Sequence, residues 1–83
     1  MRIVPSAAVG TAPMTVEFRY EIRGVTLPIV SYRWHMESIQ FSATARATLN
    51  FQRPGSYTID LTVFDAAGNP YHDRIVIRVT AAL

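Results

Sequence analysis

An all-β sandwich of two antiparallel sheets, about seven strands in all, is the fold this sequence predicts. Three observations point there. Stretches of alternating apolar and polar residues recur along the chain, no window carries a helical period, and turn residues fall at roughly ten-residue intervals. The clearest stretch runs from Pro54 to Asn69. It opens on Pro54-Gly55, alternates through Tyr57, Ile59, Leu61 and Val63, and closes on Asp65-Ala66-Ala67-Gly68-Asn69. Thr58, Asp60 and Thr62 take the opposite face. This is a strand running into a hairpin.

The other elements follow in order. Arg2 to Pro5 reads as a short first strand, with Pro5 tolerable only at an edge or a switch between sheets. Ser6 to Pro13 is small and turn-rich, and reads as a loop. Met14 to Ile22 alternates, with Val16, Phe18, Tyr20 and Ile22 inward and a ladder of Glu17, Arg19, Glu21 and Arg23 outward. Gly24 to Pro28 breaks the pattern. Ile29 to Glu37 resumes it, with Val30, Tyr32, Trp34 and Met36 inward. Ser38 to Ala45 reads as a connection, with a short edge strand near Ile39 to Phe41. Arg46 to Gln52 turns Ala47, Leu49 and Phe51 inward. Tyr71 to Thr80 closes the fold with Ile75, Ile77 and Val79 inside.

Composition bounds the rest. Eighty-three residues make one domain, residues 1–83, with enough apolar content (49%) to build its own core. There is no cysteine, so neither a disulfide nor a thiolate metal site contributes, and compartment is left open. The net charge of +2 rests on arginines without a single lysine, and no run of like charge marks a nucleic-acid binder. No apolar run approaches the ~18 residues that span a bilayer, so membrane insertion is not expected. The chain reads as a module excised from a larger multidomain protein.

The strand carrying Trp34 and the strand opening on Tyr57 follow immunoglobulin-like logic. Tyr57 stands two residues before Ile59, where immunoglobulin domains place their second cysteine, and its hydroxyl is expected to bond back to nearby backbone. Trp34, Tyr57, Phe18, Ile59 and Leu61 are the predicted core. At this point the chain resembles the PKD domain family, an immunoglobulin-like sandwich of bacterial and archaeal surface proteins. The resemblance rests on Gly10-Thr11-Ala12-Pro13-Met14-Thr15-Val16-Glu17-Phe18, Tyr32-Arg33-Trp34, Pro54-Gly55-Ser56-Tyr57, Asp65-Ala66-Ala67-Gly68-Asn69 and Ile75-Val76-Ile77-Arg78-Val79. It departs after the tryptophan, where His35-Met36-Glu37-Ser38 replaces the Asp-Phe-Gly-Asp-Gly run that members often carry. The resemblance implies a non-catalytic extracellular, cell-surface or periplasmic module that spaces domains or contacts other proteins. A carbohydrate-binding accessory module of a secreted hydrolase is the alternative.

The residues themselves offer little chemistry. The serines sit in no strained nucleophile turn, and His35 and His72 read as surface imidazoles, so no enzyme is expected. Asp65, Asn69 and Asp73 flank the last turn and present an oxygen set of the kind calcium takes, against the plainer reading of turn capping; no other cofactor is expected. Phe64 and Tyr71 read as an exposed patch beside that turn, a contact site for a polysaccharide or protein partner. Arg33, Asp60 and Arg78 read as a cross-strand charge ladder, extended by Thr58, Thr62 and Val76. Pairing through an exposed edge strand is a further route to partners.

Overall fold

The computed structural model describes residues 1–82. The strands are β1 (Arg2–Pro5), β2 (Val9–Thr11), β3 (Met14–Glu21), β4 (Ile29–Met36), β5 (Ile39–Ser42), β6 (Ala47–Phe51), β7 (Gly55–Asp65) and β8 (Pro70–Thr80). Two sheets result, one in the order β1-β3-β6 and the other in the order β2-β8-β7-β4-β5. Neighbours pair antiparallel except β2, which runs parallel to β8. The expected sandwich is present, with eight strands rather than about seven.

The additional strand is β2, inside the stretch expected to be a loop. Three residues, Val9-Gly10-Thr11, are too few to show a period, yet their backbone pairs with Arg78, Val79 and Thr80. The Thr80 hydroxyl adds a bond to the Gly10 carbonyl at 3.1 Å. A second correction concerns Val30. It was expected inside, but it is 61% exposed, and Ile29 packs on the core instead. The cause is a register shift against β7 between Ile29 and Ser31, which inserts one residue and reverses the alternation below it. From Tyr32 onward the phase is as expected.

The core lies between the sheets. Phe18, Ile3, Val16, Ala47 and Phe51 come from one side, and Trp34, Ile59, Leu61, Val63, Ile77 and Val79 from the other. Trp34 is fully buried, tilted against Phe18 (centroids 5.7 Å apart) and Phe41 (6.3 Å), and its Nε1 donates to the Thr44 carbonyl at 2.8 Å. Its only polar atom is therefore satisfied. Tyr57 donates to the Arg53 carbonyl at 2.6 Å and packs on Phe51, as the tyrosine-corner reading expects.

The body measures 49 × 22 × 15 Å. Strands β7 and β8 have 11 residues each, or roughly 36 Å of extended chain, so the long axis must follow the strands. The chain enters with Arg2 opposite Glu21, and Ile3 sits beside Asp73, both toward the 66–69 turn. It leaves with Val79 opposite Gly55, at the other end of the same axis.

Candidate functional site

Two places gather polar side chains: the turn joining β7 to β8, and the outer face of the five-stranded sheet. The turn is built around Asp65. Alternation from Ile59 through Val63 carries Asp65 onto the inner face, where it is only 3% exposed. Oδ1 accepts from the Ala67 and Asn69 backbone N–H groups at 2.9 Å each, and Oδ2 from the Asn69 side chain at 2.9 Å and the Tyr71 hydroxyl at 3.3 Å. These bonds, the Asn69 side chain foremost, hold the carboxyl below its ordinary value. Burial and the neighbouring Asp65 charge push the Tyr71 hydroxyl up. Gly68 makes the turn possible with φ 83°, and Ala66 ties it to the Pro28 carbonyl at 3.0 Å.

Asp65, Asn69 and Asp73 do not converge as one oxygen set. Asp73 lies opposite Leu61, four residues along from Asp65's strand position, and its Oδ2 accepts the Ile3 backbone N–H at 2.8 Å. That bond joins β1 of one sheet to β8 of the other. Both aspartates therefore serve the architecture: Asp65 closes a hairpin and Asp73 staples the sheets.

The expected Phe64–Tyr71 patch does not form. Phe64 pairs with Pro70, and Tyr71 pairs with Val63 on the inner face, where it packs on the core. The two rings lie on opposite sides of the sheet. Phe64 is half-buried, with the Arg33 guanidinium carbon 5.2 Å from its ring centroid. The Arg33–Asp60–Arg78 ladder is also replaced. Arg33 faces Thr62, Arg78 faces Ser56, and Asp60 stands between His35 on β4 and Arg74 on β8. Asp60 Oδ1 accepts from Arg74 Nε at 2.8 Å and lies 2.8 Å from His72 Nε2. Burial works to raise the Asp60 carboxyl, but the bonds from Arg74 and His72 outweigh it and the group sits below its ordinary value.

The sequence held a signal for part of this. Counting back by twos from Ile77 and Ile75 reaches Asp73 and Tyr71, so both share the inward phase. Arg74 as Asp60's partner depends on the hairpin register, which alternation does not determine. One more feature lies where the sequence departs from the resemblance. Glu37 occupies the position where the Asp-Phe-Gly-Asp-Gly run has its first glycine, and it adopts the left-handed φ of 56°.

Outside this face, Arg2 and Arg19 both bind Glu21, at 2.7 and 3.2 Å, and their bonds hold the Glu21 carboxyl low. Between the sheets, burial and the Tyr32 hydroxyl 3.4 Å away push Tyr20 up to about 12.

Comparison with known proteins agrees with this architecture. The family model described as the PKD domain matches residues 1–72. Among solved structures, the crystal structure of the PKD1 domain from Vibrio cholerae metalloprotease PrtV is similar, with TM-score 0.77 and 25% identity. The match covers 94% of this chain and 91% of that one. Among curated proteins, none matches.

Proposed function

The chain belongs to the PKD domain family, and on that premise we propose that it is a structural and adhesion module of a multidomain secreted or surface protein. It holds neighbouring domains apart and gives them or another protein a surface to meet. PKD domains are generally non-catalytic and typical of extracellular multidomain proteins, and the structural relative is one domain of a metalloprotease. The observation that carries the reading is the path of the chain. It enters beside the 66–69 turn and leaves beside Gly55, so the body stands between whatever precedes and whatever follows, along a 49 Å axis. The polar groups that sequence reasoning offered to chemistry support the same reading. Asp65 and Asn69 hold the turn, and Asp73 holds the two sheets together.

The test is a fusion of two fluorescent reporter domains joined by residues 1–83. A spacer gives a single narrow distribution of energy transfer that broadens when the domain is unfolded in urea. A broad distribution under native conditions would reject the spacer reading. The carbohydrate-binding alternative loses the Phe64–Tyr71 surface on which it first rested, because those rings face opposite ways.

A further inference from the structure

Three of the eight arginines, far apart in sequence, come together in space. Alternation and register bring Arg33 of β4 and Arg74 and Arg78 of β8 onto the outer face of the five-stranded sheet, with His35 and His72 among them. Across the sheet they form rows: His72–Thr62–Arg33, then Arg74–Asp60–His35, then Val76–Thr58, then Arg78–Ser56. Successive rows lie about 7 Å apart and neighbouring strands about 4.8 Å. Asp60 is the carboxylate within these rows, and it is engaged by Arg74 and His72. Glu37, at the rim, directs Oε1 to the Thr58 backbone N–H at 3.1 Å. Arg33 and Arg78 have no carboxylate partner among the described residues. On the other sheet the balance differs, since Arg2 and Arg19 are spent on Glu21. Outward from β8-β7-β4, three arginines thus stand against Asp60 and the rim carboxylate of Glu37, while Arg23, Arg46 and Arg53 lie off these strands.

We propose that this face binds an acidic polysaccharide, its carboxylate or sulfate groups taken by Arg33 and Arg78 with Arg74 between their rows. Planar guanidinium groups match such oxyanions with paired N–H donors. The Arg33 guanidinium lies over the Phe64 ring, 5.2 Å from its centroid, and the residue is exposed. Ser56, Thr58 and Thr62 place hydroxyls between the cations, which suits a ligand that carries hydroxyls as densely as charge. A single-stranded nucleic acid would need rings free to stack bases, and Phe64, in the next row between Ser31 and Pro70, has the Arg33 guanidinium over its ring.

The test is a titration of the isotopically labelled domain with uronate oligosaccharides and, separately, sulfated oligosaccharides, at low salt. Neutral dextran oligosaccharides, polyglutamate and a thymidine oligonucleotide run in parallel. The expected result is shifts at Arg33, Arg78, Thr58 and Thr62 with one or both acidic sugars, weakening as salt rises. Arg33→Gln and Arg78→Gln should each weaken binding on the order of fivefold, and Asp60→Asn should tighten it by about twofold or more. Arg19→Gln, on the other sheet, should change nothing. Circular dichroism confirms that each variant is folded. Silence with both acidic sugars, equal binding of dextran, or loss of affinity in Arg19→Gln alone would overturn the proposal. So would stronger binding of polyglutamate or the oligonucleotide, which would reassign the face to an acidic protein or a nucleic acid.

Discussion

Replacing Trp34 with alanine removes a ring that is wholly buried between the sheets, against Phe18 and Phe41, and that bonds the Thr44 carbonyl. The cavity and the lost transfer energy together cost about 3–5 kcal/mol. The lost hydrogen bond adds little, because Thr44 is exposed and water can reach its carbonyl. A domain of 83 residues holds only about 4–12 kcal/mol. The substitution should therefore consume much or all of the stability. At about 4–8 °C per kcal/mol, the melting temperature falls by about 12 °C or more, or the variant does not fold. Because Trp34 is the chain's single tryptophan, the transition is followed by far-ultraviolet circular dichroism rather than indole fluorescence. Trp34→Phe is the control: it keeps an aromatic ring, loses the Nε1 donor, and should cost about 1–2 kcal/mol. A loss below about 1 kcal/mol for the alanine variant would refute the placement of Trp34 at the centre of the core.

Three further expectations concern the joints of the fold. Tyr57→Phe removes the bond to the Arg53 carbonyl while keeping the ring on Phe51, and should cost about 1 kcal/mol in urea unfolding. Gly68→Ala should cost about 1 kcal/mol from backbone strain at φ 83°, with no steric part because nothing lies within 4 Å of the added carbon; Ala67→Gly beside it serves as the comparison. Asp65 has a depressed carboxyl in the folded state, so the stability it contributes is present above its unfolded value of about 3.9 and is lost as pH falls through the lower folded value. Asp65→Asn should flatten the loss of stability measured between about pH 4 and pH 2, and an unchanged acid profile would contradict the clamp.

Strands β3, β6, β7 and β8 were legible because each buries one face and leaves the other wet, which writes a period of two into the residues. Tyr57 and Trp34 were legible for the same reason, with Tyr57's place two residues before Ile59 adding the corner. What escaped was set by pairing rather than by pattern. The register shift at Ile29–Ser31 sends Val30 outward although its residue type suits the core. Strand β2 exists because the β8 edge offers it partners, not because Val9-Gly10-Thr11 demands a strand. The Phe64–Tyr71 patch failed on hairpin geometry, since directly opposed residues share a face and Phe64's opposite number is Pro70. The outward placement of Arg33, Asp60, Arg78, Thr58 and Thr62 on neighbouring strands was legible, but Arg74 as Asp60's partner was not, because it depends on the β7–β8 register.

A spacer of this kind requires the chain to enter at one end of the body and leave at the other. The absence of cysteine makes the direct measurement simple: Arg2→Cys and Thr80→Cys in one chain, spin-labelled, with the distance read by pulsed electron resonance. Ile3 sits beside Asp73, and Thr80 lies seven positions further along β8, so the backbone distance should be about 25–30 Å in one narrow peak. A peak under about 15 Å would place both ends on the same pole of the sandwich and contradict the spacer.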